Sequence, residues 1–527
     1  MDDVKIILFL CNWGPHAAFQ TLQDRRAEIP AEINMVRIPC SGRISKALLF
    51  KPFEMGADGV VLMGCRPGSC RYGTGTAAAH DNSADTQRIL ELIGLGRERL
   101  RLGSFLPDEP EALLALLQEF AATIRKLGRS PVAPPLSPPA SGEPPGHPAA
   151  IAAAHDVFAC QDCGKCTSAC PLALAGKPFS PRAIAGEVIA GRADAPAVRA
   201  AVNACLTCGV CYARCPSAVD FPEFIKAMRA YYRGRALAEA PAHGGFFQSM
   251  QRALTAEGLT PRRWQALPAG IRTQPKNPVL FFGGCAPYFD IFFAKFLQID
   301  THRILEDSLR LLNFFDIAPM LLENERCCGH DLLWSGDPTN FVRLARLNAR
   351  AIMESGAAEV ITACPECCHT LRRAYPRHGV ELPVKITHMH DFLETTIGKG
   401  AVAFKPLGAR VTFQDACRQS RFESEAGLPR KLIARMAGSG FTEMPESGAT
   451  AMCCGNSAWT GCDAYSKAMQ VQHLIRARQS GAGLMLTACP KCQIHLRCAM
   501  EDAVRGAELH MEMMDLTSAV AKTIYWE

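Results

Sequence analysis

The stretch Thr362-Ala-Cys364-Pro-Glu-Cys367 returns later in the chain as Thr487-Ala-Cys489-Pro-Lys-Cys492. Upstream of each copy stands an adjacent thiol pair followed by glycine, Cys327-Cys328-Gly329 and Cys453-Cys454-Gly455. Upstream of each pair stands one further cysteine, Cys285 or Cys417. Self-similarity of this kind marks a duplicated structural unit. Each CC pair precedes a stretch of helical period, such as 341–353, with Phe341, Leu344, Ala345, Ala349 and Ile352 on one face. A short apolar run, 359–363 or 484–488, then leads into the C-P-x-C and reads as a buried strand. Residues 275–400 and 405–527 are therefore expected to be two α/β halves of one design, facing each other. Five thiols per half is one more than a 4Fe-4S cube needs. The pattern implies an unusual cluster, or a cube with a spare reactive thiol. Zinc sites or buried structural cysteines are the alternatives, and matched sets in both halves count against them. In each C-P-x-C the proline is placed to open a helix whose free amides face the thiolates.

Working outward, the run C-x-x-C-x-x-C-x-x-x-C-P occurs twice: Cys160, Cys163, Cys166, Cys170, Pro171 and Cys205, Cys208, Cys211, Cys215, Pro216. Three thiolates spaced by two residues wrap one 4Fe-4S cluster, and the fourth reaches the neighbouring one. The expected sets are Cys160, Cys163, Cys166 with Cys215, and Cys205, Cys208, Cys211 with Cys170. Structural zinc uses well-separated C-x-x-C pairs, which a run of three suits poorly. The surrounding region, 151–240, reads as helical, with Ala-rich 181–202 between the runs and 221–232 after them.

Further upstream, SPVAPPLSPPASGEPPGHP from Ser130 to Pro148 has few backbone donors and stays extended, so 129–150 reads as a Pro-rich linker. Before it, 1–128 alternates strand-like segments at 4–10 and 59–63 with a helical one at 111–126. That alternation predicts a small α/β sheet domain. The whole is expected to be multidomain α/β and α: a small α/β domain, a helical two-cluster domain and duplicated α/β domains.

Composition narrows the setting. The chain has 527 residues, 25 cysteines in clusters, and a formal net charge of +6. Clustered thiols beside cluster-binding runs point to a reducing, cytoplasmic and anaerobic setting. The N-terminus begins acidic, with a short apolar run, unlike a signal peptide. No apolar stretch of about 18 residues suggests a membrane span. A small net charge excludes a dedicated nucleic-acid binder, and Arg97, Arg99, Arg101 and Arg372–Arg373 read as solvated faces or docking surfaces. No Gly-x-Gly-x-x-Gly follows a strand, so flavin or NAD chemistry belongs to a partner.

These motifs carry family resemblances. The twin halves resemble the B-type subunit of heterodisulfide reductase and the C-terminal part of its larger relative, the D-type subunit. The two-run region resembles the C-type subunit, and its runs match those of two-cluster bacterial ferredoxins. In that family a full five-cysteine CCG motif binds a non-cubane 4Fe-4S cluster, and the disulfide substrate is cleaved between two of them. The resemblance carries ligand roles to Cys285, Cys327, Cys328, Cys364 and Cys367, and to Cys417, Cys453, Cys454, Cys489 and Cys492. The interval from Cys285 to Cys327 is longer than that from Cys417 to Cys453, which predicts an added loop or helix that alters access. The N-terminal domain resembles the delta subunit of methyl-viologen-reducing hydrogenase through Cys11-Asn-Trp, Cys40-Ser-Gly-Arg43, Gly56-Ala-Asp-Gly59 and Gly64-Cys65-x4-Cys70. That likeness implies a 2Fe-2S cluster held by Cys11, Cys40, Cys65 and Cys70. The family's C-N-W-C lacks its second cysteine here, Gly14 standing in its place.

Together the resemblances imply an oxidoreductase subunit with one 2Fe-2S cluster, two cubane 4Fe-4S clusters and two non-cubane ones. Its setting would be a heterodisulfide-reductase-like complex that bifurcates or confurcates electrons at a flavin. The implied partners are a flavoprotein resembling the A-type subunit of heterodisulfide reductase, a hydrogenase, formate or NADH-dependent donor subunit, and ferredoxin. His330 and Lys491 are the candidate proton donors at the paired sites, with Asp331, His369 and His495 nearby; hydrogen bonding to cluster sulfur is the competing role. Cys368, Cys462 and Cys498 read as small structural hydrophobes. The alternatives are an iron–sulfur subunit of a glycolate- or lactate-type dehydrogenase, or a subunit whose CCG sites only relay electrons.

Overall fold

The computed structural model describes residues 4–135, 146–264, 267–398, 400, 402–437 and 440–526. The Pro-rich segment 136–145, the middle of the expected linker, lies outside the described residues. The chain forms two compact units, one of residues 1–136 with 243–265, the other of 137–242 with 266–527.

The first unit is built on a parallel sheet of β1 (Ile6–Cys11), β2 (Ile33–Ile38), β3 (Gly59–Cys65) and β4 (Leu100–Phe105), in the order β2-β1-β3-β4. Central β3 is buried at every position, as a strand covered on both faces must be. Helices Gly14–Asp24 and Pro110–Leu127 cover one face, their Phe19, Leu22, Leu113, Leu117 and Phe120 meeting Ile6, Leu8 and Leu10. Residues 243–265 complete this unit. Phe246 lies edge-on to Phe50 at 5.4 Å, Arg252 pairs with buried Glu54, and the Arg262 N–H donates to the Leu92 carbonyl at 2.8 Å. Arg99 departs from the solvated role expected of it. It is buried and donates to the carbonyls of Leu95, Asp58 and Gly128.

The second unit holds a helical part and two three-stranded parallel sheets. β5 (Val279–Phe282), β6 (Glu359–Thr362) and β7 (Lys385–His388) form one; β8 (Val411–Gln414), β9 (Leu484–Thr487) and β10 (Glu512–Asp515) form the other, each with its second strand in the middle. Matching helices precede β6 and β9: Pro338–Ser355, capped by Asp337, and Ala464–Gln479, capped by Asp463. After each central strand a helix opens on proline, Pro365–His369 or Pro490–Met500, with Cys364 or Cys489 at the N-cap. The halves differ where the cysteine spacing differs. Ala286–Phe293 and His302–Phe314 fill the longer first interval, and Arg418–Phe422 and Gly427–Ala437 the shorter second one. Among the described residues no helix is long and apolar enough to cross a membrane.

Candidate metal centres

In the first unit the parallel sheet delivers thiols to its C-terminal edge. Cys11 ends β1, Cys65 ends β3, Cys40 follows β2, and Cys70 comes from the turn after β3. The Cys11 and Cys65 sulfurs are 3.9 Å apart. Burial pushes the Cys65 thiol up to about 11 against the Gly14 amide, and it raises Cys40 as well. Cys70 is lowered: burial acts upward, but the amides of Tyr72, Gly75 and Thr76 outweigh it. Gly75 makes room, since a Cβ there would fall 2.7 Å from the Cys40 sulfur and 2.9 Å from that of Cys70. Four converging thiols met by main-chain N–H donors fit a small anionic iron–sulfur cluster.

The two runs of the helical part turn alike. Asp162 and Thr207 take left-handed backbone at the same place in each run, and Gly164 and Gly209 do so two residues later. Each run then enters a short helix, Lys165–Ser168 or Val210–Arg214. Cys170, Cys205, Cys208 and Cys211 line one small space. The structure thus brings the last cysteine of the first run to the first three of the second. Burial pushes Cys170 up to about 12 and Cys205 up to about 11. Thiols in so poor an environment for their own charge suit a site where a cationic metal compensates. Cys166 is raised by burial and by nearby Cys160; Cys163 is exposed, and Cys215 is half-buried at the end of Val210–Arg214.

In the first α/β half, Cys285, Cys327, Cys328, Cys364 and Cys367 line one small cavity. The Cys285 and Cys327 sulfurs touch, and that of Cys367 lies 3.5 Å from that of Cys328. Gly284, at φ +68°, admits the Cys367 sulfur, which a Cβ would meet at 2.7 Å. In the second half, hydrogen bonds from Cys453 and Cys492 hold the Cys454 thiol down to about 6. Two sulfur contacts join separate sets. Cys364 hydrogen-bonds Cys489 across the halves as well as its neighbour Cys367, and is likewise lowered. Cys453 hydrogen-bonds Cys208 of the helical part. Around that second contact, Arg421 Nε donates to the Cys208 carbonyl at 2.6 Å and Arg418 Nη1 to the Thr207 carbonyl at 3.2 Å.

Lys491 Nζ, from the second half, bonds Asp331 and lies 2.7 Å from Glu366 Oε2 of the first half. His330 Nε2 is 3.3 Å from Glu366 Oε1. Both carboxylates act to raise the Lys491 ammonium against its burial, and His330 and Lys491 in turn hold Glu366 well below the usual carboxylate range. His330, Asp331 and Glu366 are close enough to hold a cation; the lysine already supplies that charge. His369 is turned away to Glu423 at 2.7 Å, and His495 stacks on Trp459 at 5.1 Å. Arg372 is also engaged, with Glu423 and Glu425 at 2.9 and 2.8 Å.

Sequence reasoning missed several supports. Buried Glu325 accepts from the Gly283 and Gly284 N–H groups and so fixes the loop into Cys285. Asn348 donates to the Cys327 carbonyl at 2.9 Å and Tyr375 Oη to that of Cys328 at 3.2 Å. Glu366, inside the C-P-x-C, was visible in the sequence but has no counterpart in the other half, where Lys491 stands. Cys368 is buried as expected of a small hydrophobe, whereas Cys462 is exposed and the Cys498 sulfur takes Lys467 Nζ at 3.3 Å.

Known families match in the same pieces. Residues 6–128 match the methyl-viologen-reducing hydrogenase delta subunit, 159–220 a 4Fe-4S dicluster domain, and 279–372 and 411–497 the CCG cysteine-rich domain. The chain is 28% identical over 238 residues to the D-type subunit of the dihydromethanophenazine:CoB–CoM heterodisulfide reductase of Methanosarcina barkeri, covering 44% of this chain and 56% of that one. It is 27% identical over 248 residues to the B-type subunit of the fumarate reductase (CoM/CoB) of Methanothermobacter marburgensis, 47% of each. It thus spans about half the length of these relatives. It is also 34% identical over 124 residues to the D-type iron-sulfur subunit of the F420-non-reducing hydrogenase of Archaeoglobus profundus, covering 24% of this chain and 90% of that one.

Proposed function

From a chain that belongs, through its N-terminal unit, to the hydrogenase delta-subunit family and joins to it the dicluster and CCG domains, we propose an iron–sulfur subunit of a heterodisulfide-reductase-like complex. The observation that carries this is the chain of sulfur contacts in the second unit: Cys208 with Cys453, and Cys364 with Cys489. Three of the cysteine groups proposed as ligand sets are thereby linked, and Cys163 of the helical part is exposed. Cys11, Cys40, Cys65 and Cys70 would hold a 2Fe-2S cluster. The two runs, with Cys170 and Cys215 exchanged, would hold two cubanes, and the two five-cysteine sets would hold the non-cubane pair. When bound, these clusters supply one-electron carriers.

The remaining work falls to the protein. Lys491 ties the two halves with its bridge to Asp331 and Glu366. His330 and Lys491 line the first-half cavity and are assigned as the proton donors to a product thiolate. The reaction proposed is two-electron reduction of a disulfide or similar acceptor: the S–S bond takes two electrons and two protons and leaves two thiols. Electrons would come from a hydrogenase, formate or NADH-dependent subunit through a flavoprotein resembling the A-type subunit of heterodisulfide reductase. Bifurcation at that flavin would send the other branch to ferredoxin. A cytoplasmic complex suits the free thiols. Cys327→Ala and Cys453→Ala test the paired site in dye-driven disulfide reduction. Each should nearly abolish turnover, because half a pair cannot do the paired chemistry. A Cys453→Ala protein that keeps most of its activity would leave one half sufficient and refute the joint site.

A further inference from the structure

A second, larger cleft opens on the same unit. It encloses about 1070 Å³, and Ile304 belongs both to its wall and to that of the cysteine-lined cavity. Such a volume reaches the top of the range for sites that enclose a whole small molecule, about 300–1,000 Å³. The segment that lengthens the first cysteine interval contributes Gln298, Ile299 and Asp300, and Gln493, next to Cys492, stands on the opposite half.

The exposed charges on its walls have neighbours: Asp300 accepts the Arg303 N–H at 3.1 Å, and two arginines share one carboxylate. Arg303 and Arg310 face Asp307 at 3.1 and 3.8 Å, and Lys522 faces Glu512 at 4.0 Å. Two groups keep an atom without a charged partner. Asp515 is buried; its Oδ1 accepts the Thr517 N–H as the cap of helix Leu516–Thr523, the Thr517 side chain also bonds the carboxylate, and among the described residues no cation pairs with its Oδ2. Arg497 sends Nη1 to the Met500 sulfur at 3.9 Å, while its buried Nε has no partner. Burial pushes the Asp515 carboxyl up to about 7, the state of an acid that lacks a cation. One unmatched acid and one unmatched guanidinium in a single cleft call for a ligand that carries both charges, since either left buried and unpaired costs stability.

We propose that this cleft binds the acceptor, and that the acceptor is a disulfide of amino-acid or short-peptide thiols, its carboxylate met by Arg497 and its ammonium by Asp515. This rests on the reductase reading above. A purely anionic disulfide would bring like charge to Asp515, and a purely cationic one would leave Arg497 unmatched.

Three disulfides of closely related skeleton separate the cases: cystine carries both groups, dithiodipropionate lacks the ammonium, and cystamine lacks the carboxylate. Calorimetric titration of the oxidised, cluster-loaded full chain, with no reductant present, reads binding alone. Cystine should bind about tenfold or more tightly than either analogue. Arg497→Gln should erase its advantage over cystamine, and Asp515→Asn, which keeps a capping side chain, its advantage over dithiodipropionate. Equal binding of all three, or two silent variants, would overturn the proposal. Turnover with reduced methyl viologen keeps the two readings apart. Selective binding of cystine without its reduction would sink the reductase role and keep the cleft, whereas reduction of all three without selective binding would do the reverse.

Discussion

At the scale of single residues, Lys491 is the sharpest test of how the paired site is held. Its ammonium is buried between Asp331 and Glu366, so replacing it leaves two buried carboxylates without their cation. Lys491→Met should therefore lower unfolding stability by about 3–5 kcal/mol in denaturant titrations of the cluster-loaded chain. A loss below about 1 kcal/mol would mean that the carboxylates do not depend on the lysine. Gly75 makes a different demand, because any Cβ there enters the space of the Cys40 and Cys70 sulfurs. Gly75→Ala should strip iron from the first unit alone, seen as the loss of about two iron atoms per chain, the content of one 2Fe-2S cluster. Unchanged iron would place the cluster elsewhere. The cysteine groups themselves were legible in the sequence because their spacing repeats. Glu325, Asn348 and Tyr375 were not, because a residue that bonds one backbone group leaves no pattern.

Among the elements, the strands and the helices after them followed from local signals. The apolar run 359–363 became β6 at Glu359–Thr362, and the helical period at 111–126 became Pro110–Leu127. What no local signal gave was the return of 243–265 to the first unit. Helix Phe246–Ala253 carries Phe246, Phe247 and Met250 inward, but the partners that bury them lie some two hundred residues earlier in the chain. The N-terminal domain is therefore not separable by a cut at the Pro-rich linker alone. The Glu54–Arg252 pair makes this testable by pH. The fold holds the Glu54 carboxyl below its ordinary 4.5: burial acts upward, but Arg252 and the bonds from Lys51 and Ser249 outweigh it. The ionised form thus stabilises fully above that ordinary value, and the contribution is lost as pH falls through the lowered folded-state value. The protection factors of the Phe246–Ala253 amides against hydrogen exchange should fall on acidification in the parent, and should be lower but flatter with pH in Glu54→Gln. Parallel pH profiles would remove the pair from the clasp.

For the whole molecule, the duplication reads directly from the repeated cysteine spacing, whereas the contacts between ligand sets do not. Nothing in the sequence says that Cys208 meets Cys453 or that Cys364 meets Cys489; those pairings arise from how the helical part and the two sheets pack. If the first unit is an entry point, Cys11→Ser should stop partner-driven reduction and spare dye-driven reduction at the paired site. Equal loss of both would make that unit structural. All of this depends on the five ligand sets holding iron. Metal analysis of anaerobically purified protein tests that most directly: the account predicts about 18 iron atoms per chain, from one 2Fe-2S and four 4Fe-4S clusters, with no stoichiometric zinc. About eight iron atoms accompanied by zinc would leave only the two cubanes and contradict it.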